Sequence, residues 1–119
     1  MKRVLIIEDN DDNMYMLKFI LEQHDIEVLM ATTGLSGFET ALREMPDLIL
    51  MDIQLPDVNG LEVTKMIRSS KIQRSIPIMA VSSYAMTGDK QKAINSGCDG
   101  YIEKPIDPET IMNDIQKFL

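Results

Sequence analysis

The chain has 119 residues, which is enough for one domain and too few for two. It carries 12 Lys and Arg against 19 Asp and Glu, a formal net charge of -7, which argues against direct binding to DNA or to an anionic membrane surface. The one cysteine, Cys98, excludes an internal disulfide, and Glu8 and Asp9 end the first apolar run too early for a signal peptide. We therefore expect a single cytoplasmic domain, 1–119.

Five short apolar runs recur along the chain and predict β-strands. They are Val4–Ile7, Val28–Ala31, Leu48–Met51, Ile78–Val81 and Gly100–Ile102. The runs are rich in Val, Ile and Leu and mostly lack alternation, a pattern typical of parallel strands that are buried on both faces.

A segment with helical spacing follows each apolar run. The predicted helices begin at a cap supplied by Asp11 or Asp12, at Gly34, after Gly60, near Thr87 and after Pro108. The residues expected to point inward are Met14, Leu17 and Leu21 in the first helix, Phe38, Leu42 and Met45 in the second, Val63, Met66 and Ile67 in the third, and Ile111, Ile115 and Phe118 in the fifth. The fourth helix ends at Asn95 and has only Ala93 and Ile94 as apolar residues between Gly88 and Ser96, so we expect it to be weakly anchored and mobile.

Alternation of five strands with five helices predicts an α/β fold with one parallel sheet and helices on both faces. Right-handed crossovers favour a doubly wound sheet in the order 2-1-3-4-5. In such sheets ligands bind at the carboxyl ends of the strands, near the point where the winding reverses. Function is therefore sought in the residues that end each strand.

The predicted strand ends carry polar side chains that suit phosphoryl chemistry. Strand 1 leads into Glu8 and Asp9, strand 3 into Asp52, strand 4 into Ser82 and strand 5 into Lys104. Two carboxylates about 4 Å apart repel by roughly 4 kcal/mol at an effective dielectric constant near 20, so three of them in one crevice need a bound cation, protonation of one acid, or the positive charge of the lysine. Mg²⁺ is the natural choice, because it binds carboxylates, waters and phosphate oxygens.

A phosphoryl group is the substrate that these residue types fit best. Asp52 can attack phosphorus as a carboxylate nucleophile and form an aspartyl-phosphate, with Glu8 and Asp9 as metal ligands. Lys104 and the hydroxyl of Ser82 can neutralise or hydrogen-bond the phosphoryl oxygens.

Four segments of the chain resemble a response-regulator receiver domain, the phosphoacceptor half of a two-component system, with its CheY-like, flavodoxin-like fold. They are VLIIEDN at 4–10, LILMDIQLPDVNG at 48–60, PIMAVSS at 77–83 and GYIEKPI at 100–106. The segments are similar both to stand-alone regulators of the DivK type and to receivers attached to hybrid kinases. Both architectures stay open at this point.

The resemblance implies a role for each acidic residue at the strand ends. Asp52 is the expected phosphorylated residue. Glu8 and Asp9 organise Mg²⁺ together with Asp52, and the backbone carbonyl of Gln54 is implied as a further ligand. The phosphoryl donor is expected to be a partner histidine kinase or a histidine phosphotransfer protein.

The resemblance also implies a conformational switch. Ser82 is the expected switch hydroxyl, because the PIMAVSS alignment selects it over Ser83, and Tyr101 is the expected switch aromatic. Lys104 is expected to pair with the phosphoryl group and to precede a cis peptide bond at Pro105. Phosphorylation would then alter the face formed by the fourth helix, the fifth strand and the fifth helix, and with it binding to a downstream effector or output domain.

Three rival functions fit the residues less well. A flavin-binding module shares the sheet order, but the acidic loop at 8–12 repels a phosphate, and the glycine loop of P-loop NTPases is missing. A phosphatase of the haloacid-dehalogenase type needs a second Asp two residues after the nucleophile, where this chain has Gln54. A degenerate receiver that only binds partners is disfavoured because every position that carries the proposed chemistry has a suitable residue.

We therefore expect a signalling domain that catalyses only its own phosphotransfer and slow autodephosphorylation. Gln54 and Tyr84 are expected to tune the rate of autodephosphorylation.

Overall fold

The structure is a computed structural model that describes residues 1–70, 75–83 and 88–119. Its five strands are β1 (Arg3–Ile7), β2 (Glu27–Ala31), β3 (Leu48–Asp52), β4 (Ile78–Ser82) and β5 (Gly100–Glu103). Its five helices are α1 (Asp11–Glu22), α2 (Gly34–Glu44), α3 (Gly60–Ser69), α4 (Asp89–Asn95) and α5 (Pro108–Gln116). The strands form one parallel sheet in the order β2-β1-β3-β4-β5, which confirms the predicted topology.

The predicted burial of the strands on both faces is correct for the centre of the sheet and wrong for its edges. Every residue of β3 and β4 is buried, and so are the last four residues of β1. The outer strands β2 and β5 are largely half-exposed, with Met30 51% exposed. The difference arises because an edge strand has a neighbour on one side only, and its apolar composition does not reveal its place in the sheet.

Helices cover both faces of the sheet and enclose two apolar clusters. On one face, side chains of α1 and α5 pack on β1, β3 and β4 around Leu17, Leu50 and Ile115. On the other face, side chains of α2, α3 and α4 pack around Ile7, Met51 and Ile67. This two-layered core holds the carboxyl ends of β1 and β3 side by side, as a doubly wound sheet requires.

Asn10 caps helix α1, and the predicted cap at Asp11 or Asp12 is wrong. The side chain of Asn10 accepts a hydrogen bond of 2.9 Å from the backbone N–H of Asn13. A cap must reach the N–H two or three residues ahead, and Asn10 has that spacing. Asp11 and Asp12 instead occupy the first turn, where their charge favours the positive end of the helix dipole.

Helix α2 faces the sheet with small residues, whereas the sequence predicted that its large apolar residues would face inward. Its buried residues are Gly34, Gly37 and Ala41, whereas Leu42 is 39% exposed and the predicted inward residues Phe38 and Met45 are only partly buried. A Cβ at Gly37 would collide with the side chain of Ile7. Small residues therefore form the inner face of α2, because the helix backbone approaches β1 too closely for larger ones.

The remaining helices differ from the prediction in smaller ways. In α3 Thr64 is buried, and its hydroxyl is satisfied because it donates to the Gly60 carbonyl at 2.9 Å. Met66, which was predicted to point inward, is only half-buried. Phe118 packs on the core from beyond the end of α5. The described part of α4 begins at Asp89, and Thr87, where its start was predicted, lies outside the described residues. None of the helices in the described ranges combines the length and apolar character that a membrane crossing needs.

Candidate functional site

The carboxyl ends of β1 and β3 bring three acidic side chains together. Glu8 follows β1 directly and Asp52 is the last residue of β3, and the two strands pair in register as neighbours. Glu8 and Asp52 are buried, with 2% and 3% of their surface exposed, while Asp9 faces solvent. One carboxylate oxygen from each of the three lies within 4.8 Å of the others, which confirms the predicted convergence.

Lys104 lies among the carboxylates. Its ammonium Nζ contacts both carboxylate oxygens of Glu8, at 3.0 and 3.1 Å, and Oδ2 of Asp52 at 3.5 Å. The lysine, one of the expected sources of compensating charge, therefore lies against the two buried acids. The Lys104 backbone N–H donates to the carbonyl of Ser82 at 2.8 Å, and the Lys104–Pro105 peptide bond is cis, as expected.

Burial and the neighbouring Glu8 raise the pKa of Asp52 from 3.8 to about 7. Burial is the largest cause, followed by a side-chain hydrogen bond with Glu8 and by the negative charge of Glu8. The backbone N–H of Gln54, 3.1 Å from Oδ1 of Asp52, and the ammonium of Lys104 lower the pKa but do not cancel the rise. The site therefore has an excess of negative charge that a cation would relieve.

The loop after β3 folds back tightly over Asp52. The N–H of Gly60 donates to the carbonyl of Ile53 at 2.8 Å, and a Cβ at position 60 would collide with the backbone carbonyl oxygen of Asp52. Glycine is required here because of this close approach. The turn holds the backbone N–H of Gln54 against the Asp52 carboxylate, while the Gln54 side chain faces solvent.

The two predicted switch residues lie on adjacent strands. Ser82 ends β4, is 3% exposed and follows Val81, the residue that pairs with Asp52, whereas Ser83 is exposed. Tyr101 on β5 is half-buried. Its hydroxyl is enclosed and has no hydrogen-bond partner among the residues that the structure describes. A ring whose polar end is unsatisfied has less to hold it in place than a fully bonded one. Tyr84, predicted to influence dephosphorylation, lies outside the described residues.

Two residues near the site escaped the sequence interpretation. The side-chain amide of Asn13 donates to Oε1 of Glu8 at 3.1 Å. The carboxylate of Asp57 accepts the N–H groups of Gly34 and Leu35, at 2.7 and 3.0 Å, and so ties the loop after β3 to the start of α2. The position of Asn13 in the first turn of a helix that follows the acidic pair was a usable signal. The long-range contact of Asp57 had none.

The donor set fits a hard divalent cation. Three carboxylates offer oxygen ligands, and two of them are buried side by side, where burial and the neighbouring Glu8 raise the pKa of Asp52 to about 7. Mg²⁺ takes oxygen ligands and uses only one or two carboxylates, leaving room for waters and phosphate oxygens. The cluster at Glu8, Asp9 and Asp52 can therefore hold a metal ion.

The fold and this acidic site are those of a phosphoryl-accepting signalling domain. The sequence profile of the response regulator receiver domain family matches residues 4–116. The chain belongs to this family and is the receiver domain of a two-component system.

Individual members of the family resemble this chain over nearly its full length. The chain is 42% identical over 118 residues to the polar-differentiation response regulator DivK of Brucella ovis, and the match covers 99% of this chain and 96% of the relative. Chemotaxis protein CheY4 of Vibrio cholerae is 27% identical with a TM-score of 0.92, covering 100% of this chain and 99% of that one. The receiver domain of sensor histidine kinase PA1611 from Pseudomonas aeruginosa, solved with a magnesium ion coordinated in the active site cleft, is 28% identical with a TM-score of 0.90, over 98% and 96% of the two chains. These similarities confirm the CheY-like fold and the resemblance to DivK-type receivers.

Proposed function

We propose that Asp52 is the residue that accepts the phosphoryl group, with Mg²⁺ held by Glu8, Asp9, Asp52 and the backbone carbonyl of Gln54. One observation carries this proposal: three carboxylates each have an oxygen within 4.8 Å of the others, and a lysine ammonium lies 3.0 to 3.5 Å from two of them, Glu8 and Asp52. Such a cluster is electrostatically unfavourable unless it serves a cation and a transferred anion. Mg²⁺, when bound, neutralises charge on the phosphoryl oxygens.

The reaction is a displacement at phosphorus. A carboxylate oxygen of Asp52 forms the new P–O bond while the P–N bond of a phosphohistidine breaks, and the bonding electron pair stays on the imidazole nitrogen of the donor. Asp52 must be ionised to attack, and a bound cation favours this form over the protonated one. Lys104 and Ser82 then hold the transferred oxygens through an ion pair and a hydroxyl hydrogen bond.

The phosphoryl group would act as a switch by redirecting its neighbours. It adds about 1.5 to 2 negative charges and three strong acceptors at one point, which draw Ser82 and Lys104 toward it. Movement of Ser82 shifts the end of β4 beside Tyr101, whose hydroxyl is held by no described residue. The ring then turns inward and reshapes the face of α4, β5 and α5.

The chain would therefore work as one receiver domain, 1–119, in the cytoplasm. Its donor would be a sensor histidine kinase or a histidine phosphotransfer protein, and its output would pass to an effector protein or an attached output domain. It would catalyse only its own phosphotransfer and slow autodephosphorylation, and it would bind neither nucleic acid nor membrane itself, in keeping with its net charge of -7.

Incubation with acetyl phosphate and Mg²⁺, followed by intact mass measurement, tests the proposal. We expect one phosphoryl adduct that chelation of the metal prevents. The variant Asp52→Asn should form none, whereas Asp12→Asn, an exposed acid in the first turn of α1, should react like the unaltered protein. An adduct in Asp52→Asn would contradict the assignment, and continuous turnover of a small phosphate ester would favour a phosphatase.

A further inference from the structure

When Asp52 is ionised, as the proposed chemistry requires, Glu8 is held by two different donors. The Asn13 amide donates to Oε1 at 3.1 Å, while the Lys104 ammonium binds Oε1 at 3.0 Å and Oε2 at 3.1 Å. Glu8 is only 2% exposed, so bulk water cannot replace either donor. The buried carboxylate therefore depends on these two side chains for its orientation.

The two donors differ in how firmly they are placed. Asn13 lies in the first turn of α1, where its backbone N–H is bonded to the cap residue Asn10 at 2.9 Å. The helix therefore sets the position of the Asn13 side chain independently of the state of the site. Lys104 reaches Glu8 along a flexible stem, and the proposed chemistry requires it to move to the phosphoryl group.

Departure of Lys104 would leave Glu8 with one protein donor among the described contacts. If Asn13 were then absent as well, Glu8 would have no donor among these contacts. A buried carboxylate without a donor is strongly destabilised and adopts another orientation. Residues that hydrogen-bond a metal ligand from behind fix its orientation, and their loss typically weakens metal affinity by about 10- to 100-fold.

We propose that Asn13 is a positioning residue that keeps Glu8 aligned for the metal ion, both while Lys104 contacts Glu8 and after Lys104 leaves it for the phosphoryl group. This inference rests on the proposed function, because it assumes that Mg²⁺ is held at Glu8, Asp9 and Asp52. Asn13 touches neither the reacting phosphorus nor Asp52 in this account and acts only through Glu8.

Titration calorimetry with MgCl₂ on the full chain tests the inference. The variant Asn13→Leu is similar in size to Asn, suits a helix and lacks the donor. We expect it to weaken Mg²⁺ binding about tenfold. Asn113→Leu, on the exposed side of α5, is the matched control and should bind Mg²⁺ like the unaltered protein. Asn13→Ser, which retains a shorter donor, should fall between the two, and it serves as the second variant if Asn13→Leu unfolds.

A double-variant cycle separates action through Glu8 from a general loss of structure. Glu8→Ala weakens Mg²⁺ binding by itself, and in that background Asn13→Leu should cause no further loss beyond about twofold. A full tenfold loss in the Glu8→Ala background would overturn the inference. Binding that Asn13→Leu leaves unchanged would overturn the inference alone, whereas absence of Mg²⁺ binding by the unaltered protein would overturn the proposed function together with it.

Discussion

Asp52 is the proposed nucleophile, and in the metal-free protein its environment disfavours the ionised form of its carboxyl group. Its pKa is raised to about 7, chiefly by burial and then by Glu8, so between its ordinary value of 3.8 and about 7 the folded state binds more protons than the unfolded state. Stability therefore falls as the pH rises through this range, because the folded chain must carry a carboxylate whose protonated form it favours.

Neutralising Asp52 should stabilise the metal-free protein at high pH only. At about pH 8 with a chelator, Asp52→Asn should raise the free energy of unfolding by roughly 1–2 kcal/mol, a figure discounted for solvent screening at the crevice. Near pH 4 the two proteins should be equally stable. Urea unfolding at both pH values measures this, and a gain that does not change with pH would show that the charge of Asp52 is not the cause.

Lys104 would compete with a metal ion for the same carboxylates. Its ammonium lies 3.0 to 3.5 Å from Glu8 and Asp52, so it neutralises the same carboxylates that would bind Mg²⁺. Replacing it with Ala should therefore strengthen Mg²⁺ binding by about tenfold, or 1.4 kcal/mol, while destabilising the metal-free protein. Calorimetry measures the affinity, with the exposed Lys92→Ala as control. Weaker Mg²⁺ binding in Lys104→Ala would mean that the lysine organises the site instead of competing for it.

At the scale of elements, Asp57 links the loop after β3 to helix α2. Hydrogen bonds from the N–H groups of Leu35 and Gly34 lower the pKa of the Asp57 carboxyl, so the link is present above its ordinary pKa and is lost as the pH falls through the lowered one. The loop that it holds directly follows Asp52, the last residue of β3, so the start of α2 is tied to the segment beside the site.

Removing this link should expose the start of α2. In Asp57→Ala the amide hydrogens of Gly34 and Leu35 should exchange faster with solvent, while those in α5 stay unchanged. Exchange followed by NMR at neutral pH is the measurement, with Glu39→Ala, an exposed acid on α2, as the control. Unchanged protection of both amides in Asp57→Ala would refute the link.

Helix α4 has the fewest buried residues of the described helices. It has seven residues, of which only Ala93 is buried, Ile94 is 45% exposed, and no side chain caps its first turn. We expect its amides to exchange faster than those of α1 and to change most when a phosphoryl mimic is added. Amide protection of α4 equal to that of α1, with or without the mimic, would contradict this prediction.

At the scale of the whole molecule, the regular geometry of parallel strands made the location of the site predictable. Because the carboxyl ends of neighbouring strands share an edge, the placement of Glu8, Asp9 and Asp52 together needed only the strand positions and the sheet order. The same reasoning placed Ser82 and Lys104 at that edge. Strand ends are thus predictable from composition when the topology is regular.

Close packing and side-chain partners were not predictable in this way. The inner face of α2 is made of Gly34, Gly37 and Ala41, because the helix approaches Ile7, a distance that no periodicity encodes. The side chain of Lys104 could turn to any of several anions, and only the folded site shows that it selects Glu8 and Asp52. Such choices depend on contacts far apart in sequence.

The net charge of -7 has a local meaning that the total conceals. Two buried acids and one exposed acid meet at a single edge of the sheet, where a lysine is their only described basic partner. The rest of the negative charge lies elsewhere on the molecule. The acidity of the chain is therefore concentrated in part at the site, where it favours binding of a cation.

Mapping the phosphorylated residue tests the central claim most directly. After reaction with acetyl phosphate and Mg²⁺, reduction with borohydride converts an aspartyl-phosphate to homoserine, which marks its position in a peptide map. We predict conversion at Asp52 and at no other acid, with Asp9 and Asp57 unchanged. Conversion at Asp9, or a phosphoryl group recovered on a side chain other than an aspartate, would contradict the account.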